Sequence, residues 1–252
     1  RSAQQPQVLP HHAHGTLARA GRPDPTPLDL VLWPENGSDI DPRTDSAAAA
    51  EIDGAATAVG SPILVGTIEY PSTGGRYNTS VLWEPGRGSV AVYRKQHPVP
   101  FAEYIPMRSF ARMFSHEVDR VNTDMLAGHG VGLIAVPVPR LNRNVPIGDV
   151  ICFEVGYDDL VLDSVLSGAE MLVVQTNNAS FGRTAESTQQ LALSRLRAIE
   201  FGRTTIQIST VGVSAVISPT GHVVQRTGLF TTEQLLAPAP LPTSPTPPAH
   251  FV

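Results

Sequence analysis

Short runs of β-branched and other apolar residues recur along the middle of this chain, separated by polar and turn-forming residues. We predict strands at residues 28–33, 62–70, 77–83, 89–95, 130–138, 145–153, 170–176, 204–210 and 214–227, the last being a hairpin that turns at Pro219–Gly221. Helical periodicity lies between these runs, at about residues 44–59, 107–116, 157–167 and 185–201. Strands mixed with a few helices, joined by hairpins and crossovers, predict a layered α/β fold. Its sheets stack on one face and carry helices on the other.

Size and charge narrow the classes of function. With 252 residues, 41% of them hydrophobic, the chain can bury the core of one large domain. A net charge of -5 without a dense run of Lys and Arg argues against nucleic acid as a partner, because phosphate binding needs a concentrated basic face. No apolar run approaches the roughly 18–20 residues that span a bilayer, and the N-terminus lacks a signal-peptide pattern. We therefore expect a soluble protein or a soluble piece of a larger one.

The two ends of the chain differ from its middle. Residues 1–27 show no clear strand pattern, and residues 231–252 form a Pro-rich extended segment of the kind that links or tethers domains. We predict an N-terminal margin (1–27), an organised domain (28–230) and a C-terminal tail (231–252). The histidines of "HHAH" at 11–14 are not expected to bind metal, because a flexible segment lacks the fixed geometry of a zinc site. No cofactor is predicted.

Three chemically distinctive side chains follow predicted strands. Glu35 lies in "LVLWPEN", Lys95 in "VYRKQHPVPF", and the single cysteine of the chain, Cys152, in "GDVICFEVGYDD". Strand ends in α/β folds present side chains to a shared crevice, which makes convergence of the three geometrically feasible. Each also has a structural explanation: a surface carboxylate, a solvated cation and a packed small residue.

Taken together, the three side chains suit acyl transfer. A carboxylate can take the proton of a thiol, and an ammonium group can stabilise the negative charge that develops. In this hypothesis Cys152 attacks a carbonyl carbon, and Glu35 acts as general base and later as acid. Lys95 and the backbone N–H of Phe153 hold the tetrahedral oxyanion.

Four stretches, in order along the chain, carry a resemblance to a known family. They are "LVLWPENGSDIDP", "YRKQHPVPFAEYIP", "GDVICFEVGYDD" and the segment 176–224 that begins "TNNASFG". Over about residues 28–230 the chain resembles the nitrilase (carbon–nitrogen hydrolase) superfamily. It looks most like the extracytoplasmic catalytic domain of the apolipoprotein N-acyltransferase family, in its actinobacterial form. The resemblance implies an α-β-β-α sandwich of two mixed sheets covered by helices.

The resemblance also implies roles for individual residues. Glu35, Lys95 and Cys152 match the catalytic triad, Glu103 matches a required loop glutamate, and Glu154 matches the carboxylate that follows the nucleophile. A fixed carboxylate beside Lys95 would keep the ammonium group charged and aimed, and the prolines of this loop would restrict it. The alternative is an ordinary surface ion pair, which contributes under about 1 kcal/mol.

Several positions depart from the family pattern. Phe153 replaces the common tyrosine after the nucleophile, and Ala102 replaces the loop glycine. Asn178 and Ser180 stand where many relatives have Asp and Trp. These two residues and Phe181 are predicted to bind substrate, so the departures bear on how an acyl chain or acceptor is held.

The family's reaction is a two-stage acyl transfer at the outer face of the cytoplasmic membrane. A phospholipid acylates the cysteine, and the α-amine of a diacylglyceryl-cysteine lipoprotein then accepts the chain. Membrane helices flank the domain in that family, and a first core strand precedes it. Neither is found here, so we expect an excised or truncated domain. Two alternatives stay open: a soluble amidase with water as acceptor, and a catalytically inactive binding or scaffold domain.

Overall fold

The structure, a computed structural model, describes residues 8–22, 26–107 and 123–241. Its helices are α1 (Val8–Ala20), α2 (Ser46–Val59), α3 (Asp158–Leu166) and α4 (Glu186–Phe201). Its strands are β1 (Val31–Leu32), β2 (Ile63–Glu69), β3 (Tyr77–Glu84), β4 (Gly88–Arg94), β5 (Leu133–Val138), β6 (Arg143–Ile151), β7 (Met171–Thr176), β8 (Thr204–Ser209), β9 (Ala215–Ile217) and β10 (Val223–Arg226). The helix predicted at 107–116 lies, apart from residue 107, outside the described residues.

The strands form two mixed sheets. One has the order β1-β2-β3-β4 and the other β10-β9-β8-β7-β6-β5. In the first sheet β1 is parallel to β2 and the remaining pairs are antiparallel. In the second, β6, β7 and β8 are parallel to one another, and antiparallel pairs flank them. The predicted α/β class with two mixed sheets is confirmed.

Packing follows from the alternation of side chains along the strands. On β2, Leu64 enters the core between the two sheets, whereas Ile63 and Val65 pack toward α1 and α2. On β6, Ile151 lies in the same inter-sheet core, whereas Val150 packs in the cluster that contains α3. Because both faces of these strands are covered, they read as continuous apolar runs in the sequence.

Local sequence signals set the ends of two helices. Asp45 caps α2 by accepting hydrogen bonds from the backbone N–H groups of Ala47 and Ala48. Gly60 and Gly202 end α2 and α4 with φ values of +65° and +59°. Glycine adopts this left-handed conformation without the steric cost that a Cβ atom brings, which is why both positions mark helix ends in the sequence.

The N-terminal segment departs from the prediction. Residues 8–20, assigned to a margin, form α1, which packs against α2 and buries Leu9 and Ala13. Thr16 accepts a hydrogen bond from the Trp33 indole at 3.1 Å. His12 of "HHAH" lies against the Trp33 ring, and burial, with His11 nearby, lowers its pKa to about 4. This segment belongs to the packed fold and is not a loose margin.

The described part of the C-terminal tail, residues 231–241, is extended, as its prolines indicate, and it lies along the domain. Gln225 donates to the carbonyl of Leu236 at 2.8 Å, and Thr204 donates to that of Pro240 at 2.6 Å. Ala239 and Leu241 pack against the inter-sheet core. Within the described ranges, no helix combines the length and apolar character needed to cross a bilayer.

The side chain of Asp149 places a carboxyl group between the two sheets. Asp149 on β6 is fully buried, and burial, together with Glu154, raises its pKa from 3.8 to about 7. Between about pH 4 and pH 7 the folded chain therefore holds a proton that the unfolded chain has lost. Stability should fall as the pH rises through this window, by about 4 kcal/mol at roughly 1.4 kcal/mol per pKa unit.

We expect Asp149→Asn to remove this pH dependence. The variant should gain stability relative to the parent protein between pH 4 and pH 8, and urea unfolding at both pH values measures the gain. Asp159→Asn, which removes an exposed carboxylate, controls for the change in net charge. If the free energy of unfolding differs between Asp149→Asn and the parent by the same amount at pH 4 and pH 8, the raised pKa of Asp149 is contradicted.

Candidate active site

Cys152 lies where β6 ends in a tight turn. Its φ is +54°, and the one-turn helix Cys152–Gly156 begins at this residue. A non-glycine residue in the left-handed region costs about 1–3 kcal/mol and persists only where surrounding contacts fix it. The side chain is nearly buried, with 9% of its surface exposed. The turn presents the sulfur at the strand end, as the sequence predicts.

Glu154 fixes this turn. Its carboxylate accepts hydrogen bonds from the backbone N–H of Ile151 at 2.9 Å and from the Tyr93 hydroxyl at 3.0 Å. It also accepts from the backbone N–H groups of Gln96 at 2.6 Å and His97 at 3.2 Å. One buried carboxylate thus joins the turn of the nucleophile to the loop that follows Lys95.

Arg197 on α4 holds the far end of the same turn. Its guanidinium donates to the carbonyl of Val155 at 2.9 Å and forms ion pairs with Asp158 and Glu200. Arg197 is 3% exposed, and its planar group has several donors in a fixed arrangement, which suits this multiple contact. Its contacts tie the turn to a long helix.

Lys95 follows β4 and is fully buried. Its Nζ lies 2.9 Å from Glu103 and 3.7 Å from Glu35. Burial alone would lower the pKa of Lys95, but Glu35, Cys152 and Glu103 outweigh burial and raise it above the usual value. Lys95 is therefore a fully buried side chain that stays positively charged.

Glu103 also holds the loop that carries it. Its second carboxylate oxygen accepts from the backbone N–H of Val99 at 2.7 Å, and the N–H of Phe101 donates to the carbonyl of Tyr104 at 2.8 Å. Phe101 has a φ of +64°. The loop glutamate thus orders its own loop and pairs with Lys95, an arrangement distinct from an exposed surface ion pair.

Glu35 lies on the other side of Lys95. It is 4% exposed, and Asn78 on β3 donates to its Oε1 at 2.5 Å. Burial raises the pKa of Glu35, whereas Lys95, Asn78 and the backbone of Asn177 favour the charged form. A raised pKa makes the carboxylate a stronger base toward a neighbouring thiol.

The thiol of Cys152 is protonated at rest. Burial and the charge of Glu35 raise its pKa to about 12, while Lys95 and two hydrogen-bonding side chains, Thr176 and Gln190, act in the opposite direction. Ionisation of the sulfur therefore needs a base that takes the proton at the moment of reaction. Glu35 is the carboxylate whose charge acts on both Cys152 and Lys95.

The predicted substrate-binding residues do not all face outward. Ser180 and Phe181 are exposed on the loop after β7. Asn178 differs from the prediction: it is 1% exposed, and its amide donates to Gln190 and accepts from Ser209. These internal contacts leave its side chain unavailable to a substrate. Phe153 is 44% exposed and packs edge-on against Tyr157.

Three site residues were not predicted from the sequence: Asn78, Thr176 and Gln190. Asn78 contacts a carboxylate 43 positions earlier in the chain. Thr176 and Gln190 join β7 to α4 at 2.8 Å. Asn78 lies within a strand and Thr176 ends one, and the sequence carries no signal that separates them from their polar neighbours Thr79 and Gln175.

Known proteins resemble this chain in sequence over most of its length. The carbon–nitrogen hydrolase family profile matches residues 7–243. An apolipoprotein N-acyltransferase of Mycolicibacterium smegmatis is 40% identical over 239 residues, covering 91% of this chain and 39% of that protein. One from Geobacter metallireducens is 28% identical, covering 81% of this chain and 38% of its own length. The chain thus spans about two fifths of the curated relatives it matches.

Solved structures share the fold. Saccharomyces cerevisiae Nit3, described as a member of the nitrilase superfamily, matches with a TM-score of 0.67 at 17% identity, over 89% of this chain and 81% of that one. An amidase from Nesterenkonia matches with a TM-score of 0.64 at 18% identity, over 88% and 81%. The family profile, at residues 7–243, covers nearly the whole of the 252-residue chain. This chain therefore belongs to the carbon–nitrogen hydrolase family.

Proposed function

We propose that this chain is the catalytic part of an apolipoprotein N-acyltransferase. The observation that carries the proposal is the buried ion pair of Lys95 with Glu35, whose charges both act on the nearly buried Cys152 thiol. The relatives named apolipoprotein N-acyltransferase support this choice of reaction within the family. We propose Glu35, Lys95 and Cys152 as catalytic residues, with Glu103, Phe153 and Glu154 in supporting positions.

The first half-reaction acylates the cysteine. Glu35 takes the thiol proton, the sulfur bonds to the ester carbonyl carbon of a phospholipid, and Lys95 with the Phe153 N–H holds the oxyanion. The Phe153 N–H lies at the start of a one-turn helix, where backbone donors have no partner within the helix. The ester C–O bond then breaks, and the proton on Glu35 passes to the departing lysophospholipid oxygen.

The second half-reaction transfers the acyl group. The α-amine of a diacylglyceryl-cysteine lipoprotein attacks the thioester carbonyl and gives a proton to Glu35. The C–S bond breaks, and the proton returns to the sulfur. The products are an N-acylated lipoprotein and the free Cys152 thiol. We propose that the reaction takes place at the extracytoplasmic face of the cell membrane, which supplies both lipid substrates.

Acylation from phospholipid in detergent micelles tests this proposal. The protein should gain the mass of one acyl chain, hydroxylamine should remove it, and Cys152→Ala should not gain it. Because the chain has one cysteine, any thioester is at Cys152. Added diacylglyceryl-cysteine peptide should take up the acyl chain at its amine.

Other outcomes favour the alternatives. Release of free fatty acid, with the peptide amine unmodified and simple amides hydrolysed, would indicate an amidase with water as acceptor. No acyl enzyme from phospholipid, together with no hydrolysis of simple amides by the folded protein, would indicate a binding or scaffold domain.

A further inference from the structure

Two uncharged side chains, Thr176 and Gln190, form a hydrogen-bonded pair that reaches the sulfur of Cys152 through the Thr176 hydroxyl. The hydroxyl of Thr176, the last residue of β7, lies 3.4 Å from Sγ and 2.8 Å from Oε1 of Gln190 on α4. Thr176 is fully buried and Gln190 is 3% exposed. A threonine hydroxyl has one hydrogen to donate. At any moment the Thr176 hydroxyl can therefore donate a hydrogen bond to the sulfur or to the amide oxygen of Gln190, but not to both.

The orientation of Gln190 is fixed by its own neighbours. Asn178 donates to the same Oε1 at 2.8 Å, and the Asn178 oxygen accepts from the Ser209 hydroxyl at 2.9 Å. A Cβ atom on Gly212 would lie 2.2 Å from the Asn178 oxygen, so only glycine fits beside this network. The amide oxygen of Gln190 thus has a second donor that does not depend on Thr176.

This arrangement allows one hydrogen to move without leaving a buried group unsatisfied. If the Thr176 hydroxyl turns from Gln190 to the sulfur, Gln190 still accepts from Asn178. A buried acceptor without any donor would be destabilising, because it has lost its hydrogen bonds to water. The network therefore permits rotation of the hydroxyl at low cost.

We propose that Thr176 and Gln190 form a hydrogen-bonding cradle for the sulfur of Cys152, in which the Thr176 hydroxyl donates to Gln190 at rest and to the sulfur during catalysis. The inference rests on the proposed nucleophilic role of Cys152. The thiol proton passes to the Glu35 carboxylate, and Thr176 keeps its own proton and only changes direction. Asn178 acts as a positioning residue for Gln190.

An uncharged cradle suits this pocket. Glu35, Lys95 and Glu103 already form a compact set of charges, and another cation would compete with Lys95 for the carboxylates. Hydrogen bonds from neutral donors stabilise a developing thiolate without altering that balance. Both side chains favour the charged form of the sulfur and so oppose the effect of burial on the pKa of Cys152.

The single cysteine makes the test specific. Iodoacetamide alkylation of Cys152 is measured against pH in the parent chain, in Thr176→Val and in Thr176→Ser. Loss of one hydrogen bond to the thiolate should slow alkylation of Thr176→Val about tenfold at neutral pH and move its profile up by about one pH unit. Thr176→Ser keeps the hydroxyl and should retain the parent profile. Thr176→Ala also removes the hydroxyl and should shift the profile in the same direction as Thr176→Val, and it carries the test if Thr176→Val does not fold.

The outcomes separate this inference from the proposed function. If the variants without a donor match the parent and Thr176→Ser, the cradle is wrong, even if phospholipid acylates Cys152. If the profiles differ as expected while phospholipid does not acylate the protein, the cradle stands and the proposed substrate is wrong. Thermal unfolding of each variant shows whether a shift in the profile comes from loss of structure, which would overturn the cradle.

Discussion

Lys95→Met is expected to lower acyl-enzyme formation about 10³-fold, the upper range for loss of a group that stabilises an oxyanion. Lys95 is fully buried between Glu103 and Glu35, and methionine is an unbranched side chain one atom shorter and without the charge. Two effects add to the loss. The oxyanion loses its cation, and Cys152 loses the charge that favours its thiolate. Initial rates of acylation from phospholipid, followed by intact mass, measure the effect.

Arg94→Met is the matched control. Arg94 is adjacent in sequence and also pairs with a glutamate, Glu69, but its side chain is 42% exposed. Exposed ion pairs contribute about 0–1 kcal/mol, so this variant should keep both its activity and its fold. A rate for Lys95→Met within about threefold of that of Arg94→Met, far below the loss expected for an oxyanion donor, would remove Lys95 from the chemistry.

The loss in Lys95→Met includes a structural part. Removing one member of a buried ion pair costs about 3–5 kcal/mol, because the partner carboxylates remain buried without a counter-charge. Combining Lys95→Met with Glu103→Gln should therefore restore part of the stability but little of the activity. Urea unfolding of the single and double variants separates the two contributions, since contacting residues are not additive.

The sequence allowed correct prediction of the elements whose signals are local. Gly60 and Gly202 mark helix ends because the backbone there needs positive φ, and Pro219–Gly221 marks a hairpin for a similar reason. Glu35, Lys95 and Cys152 were predicted at strand ends, and in the structure Lys95 lies 3.7 Å from Glu35 while the charges of both act on the Cys152 thiol. A local pattern in the sequence predicts where each strand ends. In an α/β fold the strand ends lie along a common edge of the sheet, so residues at these ends are expected near one another.

The features that could not be predicted from the sequence depend on contacts between residues far apart along the chain. The polar residues Asn78 and Gln190 resemble ordinary sheet or helix positions until folding brings Glu35 and Thr176 beside them. Helix α1 was missed because its apolar face consists mainly of Leu9 and Ala13, and histidines and a glycine interrupt the period. Its stability comes from packing on Trp33 and α2, which no local pattern contains.

Gly66→Ala is expected to lower both the stability of the fold and the rate of acylation. Gly66 on β2 lies directly beneath the segment that carries Glu35. A Cβ atom there would lie 2.3 Å from the Pro34 carbonyl oxygen and 2.8 Å from the Glu35 Cα. Both neighbours are backbone atoms, so the strand end itself must move. Overpacking of this kind costs about 1–3 kcal/mol of stability, and a shift of about 1 Å in a catalytic group can cost about 10²-fold in rate.

Gly54→Ala is the matched control, because it makes the same substitution at a position where a Cβ atom has room. Gly54 is in the exposed middle of α2, and no atom lies within 4 Å of the position its Cβ would take. Alanine there should raise stability by up to about 1 kcal/mol, because glycine is a poor helix former. Thermal unfolding and acylation rates of both variants test the contrast. The closest contacts of a Cβ at residue 66 are with Pro34 and Glu35. The acylation rate of Gly66→Ala should therefore fall by more than unfolding explains, and it should stay low under conditions where the variant is fully folded. If the rate falls only in proportion to the folded fraction, the position of Glu35 does not limit the reaction.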